Sequence, residues 1–137
     1  LAQNEIIKTE KDKIKWTNKI LFSGGWEPGH STDYDAVMLA KRYGAKTVVN
    51  LSNIEYVYDK DPNKFTDAQK IENISWKDFR KIVGNKWVPG ANAPFDPIAS
   101  REAQKLGLKV VVMNGQNLGD LGKVLTGEES IVGTIIK

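Results

Sequence analysis

Ile20-Leu21-Phe22-Ser23-Gly24-Gly25-Trp26-Glu27-Pro28-Gly29-His30-Ser31-Thr32-Asp33 is the stretch that decides the fold. Its apolar run, Ile20 to Phe22, is short and bounded by glycine, which marks a buried strand. A loop rich in glycine and proline follows. Beyond the loop, Asp33 to Tyr43 reads as a helix with Ala36, Val37, Leu39 and Ala40 apolar, and Gly44 stops it. Lys46 to Leu51 then carries a second buried strand around Thr47-Val48-Val49. The repeating unit is therefore strand, loop, helix, strand.

The same rhythm continues downstream. Asp59 to Asn63 is a turn or loop. Ser75 opens a helix with Asp78 as an imperfect capping box, and Trp76, Phe79 and Val83 share one apolar face that ends at Gly84. Those aromatics are expected in the core. Asp96-Pro97 starts another helix, with Ala99, Ala103 and Leu106 inward and Gly107 at its end. Leu108 to Met113 is a third strand, apolar enough to be covered on both faces. A short helix, Leu118 to Leu125, and a last strand, Ile131 to Ile136, close the chain. Alternating strands and helices predict a layered α/β domain with a mostly parallel sheet. Upstream, residues 1 to 16 are polar with mixed charge. Ile6, Ile7 and Ile14 form no apolar face, so this stretch is expected to be the end of one element and a solvated loop.

Composition narrows the function. The 137 residues predict one domain. There is no cysteine, which excludes a disulfide scaffold, a Cys-based zinc site and a cysteine nucleophile. Apolar runs are only a handful of residues long, such as that from Val110 to Met113, so no membrane partner is expected. The N-terminus lacks a signal-peptide layout, and a cytoplasmic location is expected. Leu1 in place of methionine leads us to expect a processed or truncated chain. Twenty Lys and Arg against seventeen Asp and Glu give a net charge of +3. The basic residues are scattered, whereas a nucleic-acid surface needs a patch or stripe. An anionic small molecule suits this charge; a nucleic acid is not expected.

The loop from Ser23 to Asp33 is where chemistry is expected. Glycines allow close backbone approach, and a helix N-terminus offers free N–H groups to a phosphate. The alternative is a Gly/Pro turn with no ligand. Gly24 to Ser31 spells Gly-x-x-x-x-Gly-His-Ser, which lacks the lysine of a Walker A loop. Pro28 removes a backbone donor, and no apolar strand ends in a Walker B aspartate. Gly24, Gly25 and Gly29 do not have dinucleotide-fingerprint spacing. Three more segments join the loop: Ser52 to Pro62, Pro94-Phe95-Asp96-Pro97, and Val112-Met113-Asn114-Gly115. In a mostly parallel sheet the carboxyl ends of strands share one edge, where ligands bind.

From about Lys19 to the C-terminus, the order of these segments closely resembles the archaeal-type uridylate kinases (UMP kinases) of the amino acid kinase superfamily. Their pattern is Gly-Gly-x-x-Pro-Gly-His-Ser-Thr-Asp, then Thr-Asn-Val-Asp-Gly-Val-Tyr-Asp-Lys-Asp-Pro, then Phe-Asp-Pro, then Asn-Gly. The resemblance implies a three-layer α/β/α sandwich with a mostly parallel sheet, here incomplete. It implies transfer of the γ-phosphoryl of ATP to UMP with magnesium, giving UDP in pyrimidine biosynthesis, by an enzyme that is usually hexameric. Position by position, Trp26, Glu27, Pro28, Gly29, His30, Ser31 and Thr32 match the loop that holds UMP. Asp33 and Asp96 match acidic positions around the transferred phosphoryl. Ser52, Tyr58 and Asp61 match positions that contact ATP. No metal ligand is singled out. Each residue also has a plainer reading. Asp33 and Asp96 can be helix N-caps, Tyr58 can pack rather than stack, and His30 can shape its loop.

The departures from that pattern are Trp26 in place of a smaller residue, Ser52 for threonine, and Glu55-Tyr56 for Asp-Gly. A tyrosine forced to positive φ would be strained. The family's N-terminal half, with its phosphate-covering lysine and glycine-rich loop, is not recognisable before Lys19. We therefore expect residues 1–18 to be a polar remnant and residues 19–137 to be the C-terminal, nucleotide-binding part of the domain. The chain alone is expected to be inactive without the N-terminal half. Two other functions fit the same residues. One is a non-catalytic nucleotide-binding or storage-type relative, as in the superfamily's molybdenum storage proteins. The other is a sibling kinase with another small acceptor.

Overall fold

The computed structural model describes residues 1–86, 88, 90 and 93–137. Eight strands and four helices are present among them: β1 (Ala2–Ile7), β2 (Ile20–Ser23), α1 (Thr32–Tyr43), β3 (Thr47–Ser52), β4 (Val57–Tyr58), β5 (Lys70–Ile71), β6 (Asn73–Ile74), α2 (Trp76–Val83), α3 (Pro97–Leu106), β7 (Lys109–Asn114), α4 (Leu118–Thr126) and β8 (Thr134–Ile136). Several helix caps are those the sequence announces. Ser75 and Asp96 accept backbone N–H groups at the starts of α2 and α3. Gly44 and Gly107 take the left-handed conformation at the ends of α1 and α3, which a residue without Cβ adopts freely.

The central sheet has the order β3-β7-β8-β6. β3 runs parallel to β7 in unbroken register from Thr47↔Lys109 to Ser52↔Asn114. β8 is antiparallel to β7 and parallel to β6, so the sheet is mostly parallel, as expected. Two departures stand out. β1 and β2 form a separate parallel pair, so the N-terminal stretch contains a six-residue strand and not merely the tail of an element. Its buried residues are Gln3 and Ile7; a single buried apolar residue gives no readable period. β4 and β5 form a two-stranded antiparallel pair inside a stretch that reads as loop.

Helices cover both faces of the central sheet, which makes three layers. On one face Val37 and Ala40 of α1, Phe79 of α2, and Ala99 and Ala103 of α3 pack on Val110, Val112 and Ile136. Trp76 and Phe95 join that cluster with ring centroids 6.5 Å apart. On the other face Val111, Met113 and Ile135 meet Leu121 and Val124 of α4.

Gly133, at the entry to β8, marks where backbone presses on the sheet. A Cβ built there would lie 2.9 Å from the Val112 carbonyl oxygen and 3.2 Å from Met113 Cβ. Neither the sheet carbonyl nor the buried methionine can yield cheaply. Gly133→Ala is therefore expected to cost about 1–3 kcal/mol, the usual range for overpacking. Urea titration of the variant checks it; an unchanged midpoint refutes the contact.

Candidate functional site

Two helix N-termini meet at the site and are tied to each other by side chains. Ser31 caps α1 by accepting the Tyr34 N–H at 3.1 Å, and its hydroxyl donates to the Asp96 carboxylate. Asp96 caps α3, with Oδ1 accepting the N–H groups of Ile98 and Ala99, the latter at 3.0 Å. Its own N–H donates to Asp33 Oδ2 at 2.9 Å. Asp33 is the second residue of α1, and the cap is Ser31. The N-cap alternative for Asp33 is thus replaced by a cross-link to α3. For Asp96 the cap is real.

Ser31, Asp33 and Asp96 line one cleft of about 230 Å³ together with Lys86, Pro97, Val83, Val88 and Ala93. Both helix N-termini contribute partial positive charge, and Lys86 is the basic side chain among the described lining residues. Lys60 and Lys109 are engaged with Asp67 and Glu129. Asp33 is held above the ordinary carboxylate pKa of 3.8: burial raises it most, the Asp96 N–H counters, and the charge of Asp96 raises it further. A carboxylate crowded in this way is stabilised by any cation brought beside it.

The loop from Gly24 to His30 is exposed except at the half-buried Trp26, and is held from α1. The Trp26 N–H donates to Asp35 Oδ2 at 3.1 Å, and the Trp26 indole N–H donates to Ser23 Oγ at 3.2 Å. The Arg42 guanidinium lies 5.7 Å from the Trp26 ring centroid. His30 packs on Tyr34 with centroids 4.7 Å apart, which supports its loop-shaping role. Gly29 has φ of 97°, a turn conformation that favours glycine. Asp35, only 4% exposed, is the residue the sequence reading missed. Its signal was available: it lies four residues after Ser31 on the inward side of α1.

The proposed ATP-side residues lie at the end of β3, in β4 and in the turn that follows β4, and do not line this cleft. Ser52 ends β3 opposite Asn114, and its carbonyl accepts the Gly115 N–H at 2.9 Å. Tyr58 is in β4, which is anchored by Thr134: the Val57 N–H donates to Thr134 Oγ1 at 2.8 Å, and that hydroxyl donates to the Ile71 carbonyl. Asp61 Oδ1 accepts the Asn63 N–H at 3.0 Å and shapes the following turn. Tyr56 bears no backbone strain, since no non-glycine residue among those described has positive φ. Its ring instead packs against Lys70 Nζ at 4.6 Å. Asn50 ties the end of β3 to the loop before α3 by donating to the Pro94 carbonyl at 3.0 Å.

The sequence pattern of the amino acid kinase family matches residues 9–114. The chain belongs to the amino acid kinase family. It is similar to the uridylate kinase of Methanobrevibacter smithii, 37% identical over 119 residues that make up 86% of this chain and 52% of that protein. It is also similar to the uridylate kinase of Methanococcus aeolicus, 38% identical over 87% of this chain and 52% of that one. The crystal structure of uridylate kinase from Archaeoglobus fulgidus superposes with a TM-score of 0.73 at 31% identity, covering 87% of this chain and 52% of that chain. The chain thus spans about half the length of the curated relatives it matches. The amino acid kinase fold expected from the motifs is the fold observed, with its sheet in pieces. No helix among the described residues is long and apolar enough to cross a membrane.

Proposed function

We propose that this chain supplies the acceptor loop, the paired aspartates and the ATP-side loops of a UMP kinase that moves the γ-phosphoryl of ATP to UMP, giving UDP. The observation that carries the reading is the cross-linked pair of helix N-termini with Ser31, Asp33 and Asp96 around one cleft. Phosphoryl transfer needs positioning and charge stabilisation more than covalent help. Trp26 to Thr32 would hold UMP through backbone donors and the α1 N-terminus. The phosphate of UMP is already anionic, so the loop's task is alignment and not proton removal.

Magnesium fits this residue set. Among the described residues no group of three His, Cys, Asp or Glu is placed to hold a metal, and magnesium is ordinarily held by one or two carboxylates plus substrate phosphates. Asp33, whose elevated pKa a cation would relieve, is the side chain that would touch it. The ion would neutralise charge on the phosphates. Asp96 orients Asp33 through its backbone N–H. The whole enzyme is read as a cytoplasmic homo-oligomer, hexameric as in the family it resembles.

ATP is assigned to Ser52, Tyr58 and Asp61, and the double variant Tyr58→Ala, Asp61→Asn tests this. Both residues lie on the segment that follows β3, away from the aspartate cleft. Titration with a fluorescent ATP analogue should show at least tenfold weaker binding, about 1.4 kcal/mol. Unchanged affinity removes the ATP assignment. The kinase reading itself is tested by ADP release with ATP, UMP and magnesium, using the chain co-expressed with the rest of the domain; release that is independent of UMP overturns it.

A further inference from the structure

We propose that Asp35 and Arg42 are positioning residues for the acceptor: from one face of α1 they fix Trp26, and through it the first end of the loop that holds UMP. This rests on the UMP-kinase reading of that loop. Asp35 and Arg42 are two helical turns apart and so share a face. Trp26 is held at both places. Its backbone N–H donates to Asp35 Oδ2 at 3.1 Å in the first turn of α1. Its ring centroid lies 5.7 Å from the Arg42 guanidinium in the last turn, within reach of a cation–π contact. Asp35 is not explained by the fold alone. It is buried, and its Oδ1 has no hydrogen-bond partner among the described residues. A carboxylate oxygen left unpaired away from water costs stability, and alanine at this place would avoid the cost. What the carboxylate does provide is the bond to Trp26.

Arg42 links the loop to the N-terminal stretch. Its guanidinium donates to the Asp12 carbonyl at 2.8 Å and to the Glu10 carbonyl. A turn presents those carbonyls, closed by the Asp12 carboxylate, which accepts the N–H groups of Lys8 at 2.7 Å and Thr9 at 3.0 Å. With donors committed to that turn, the guanidinium is held where the Trp26 ring meets it. The indole N–H adds a third tie, to Ser23 Oγ, whose hydroxyl reaches the Ile7 carbonyl at 3.3 Å. Residues that read as a polar remnant therefore back the acceptor loop. The other end of the loop is tied by Ser31, which caps α1 and bonds Asp96. Between the two anchors runs a turn in which the His30 N–H donates to the Glu27 carbonyl at 3.3 Å, with Gly29 at φ 97°. Backbone donors align a phosphate to the extent that both ends of their turn are held, and a small misplacement of a bound reactant is costly.

The test uses the chain assembled with the rest of the kinase domain and measures KM for each substrate. Asp35→Ala should raise the KM for UMP about tenfold or more and that for ATP less than about twofold, because the ATP-side residues lie elsewhere. Its melting temperature should not fall, since the unpaired oxygen leaves with the carboxylate. Asp35→Asn keeps an oxygen for the Trp26 N–H and should restore most of the UMP affinity. Arg42→Gln, on the exposed end of α1, should raise the KM for UMP about threefold, the scale of an exposed cation–π contact. The proposal is overturned if Asp35→Ala fails to fold, if it leaves the KM for UMP unchanged, if both KM values rise together, or if neither Asp35→Asn rescues nor Arg42→Gln weakens UMP. A parent that releases ADP without regard to UMP sinks the kinase reading and this proposal with it. A UMP-dependent parent that is indifferent to Asp35→Ala sinks the proposal alone, so the two failures are distinct.

Discussion

Asp33→Asn, in the chain assembled with the rest of the kinase domain, is expected to lower turnover on the order of a hundredfold or more while leaving the melting temperature unchanged or higher. The activity loss follows from removing a charge that would hold or orient the cation at the transferring phosphoryl, a class of interaction typically worth that much. The stability result follows from local geometry. Asp33 Oδ2 accepts the Asp96 N–H, and an asparagine oxygen can accept the same bond. What the substitution removes is a partly buried negative charge beside Asp96, the two effects that raise the Asp33 pKa.

The folded state binds the Asp33 proton more tightly than the unfolded state, whose pKa is the ordinary 3.8. Stability contributed at this position therefore falls as pH rises from 3.8 through the elevated folded value, and stays low above it. Asp33→Asn should lose this slope, so the variant gains on the parent as pH rises through that window. Denaturant midpoints at several pH values measure it. A variant that is markedly less stable at neutral pH, yet normally active per folded molecule, would reduce Asp33 to a structural tie.

The expected separation of Asp33 from helix capping was not legible in the sequence, and the reason is specific. Ser31, Thr32 and Asp33 are all acceptable N-caps, and composition alone does not choose among them. Ser31 takes the cap, and its hydroxyl also reaches Asp96, sixty-five residues away; no local pattern encodes that partner. The strands at Thr47 to Ser52 and Lys109 to Asn114 were legible because each carries a run of β-branched apolar residues, Val48-Val49 in one and Val110 to Val112 in the other. The strand at Ala2 to Ile7 was not, because Gln3, itself buried, alternates with charged and exposed residues. The β4–β5 pair escaped notice because two residues per strand carry no period. Asp35 was passed over as one more acid in a first turn, although burial makes it the support of Trp26. The site motifs were legible because their order along the chain is specific; that Ser31, Asp33 and Asp96 meet at one cleft, which Ser52, Tyr58 and Asp61 do not line, needed the structure.

Asp96→Ala is expected to lose both turnover and stability, and the contrast with Asp33→Asn separates two roles that the motif alone merges. Asp96 is 5% exposed. Its carboxylate caps α3 through two N–H groups and accepts the Ser31 hydroxyl. Alanine removes the cap, which costs about 1–2 kcal/mol. It also strands the Ser31 hydroxyl and buried α3 N–H groups, at about 1–3 kcal/mol for each group that water cannot reach. Relief of repulsion with Asp33 offsets part of this, so the net loss should be about 3 kcal/mol. For a domain whose total stability is typically about 5–15 kcal/mol, that is a drop of roughly 10 °C in melting temperature. Asp96→Asn keeps an oxygen for the α3 N–H groups and an amide that can donate to Ser31 Oγ, so most of the stability should return. Turnover should not return, because the negative charge beside the phosphoryl site is gone. Calorimetry and single-turnover kinetics on the alanine and asparagine variants decide the matter. Normal turnover in Asp96→Asn would make Asp96 a helix cap alone, and an unchanged melting temperature in Asp96→Ala would mean that the α1–α3 cross-link does not hold the site together.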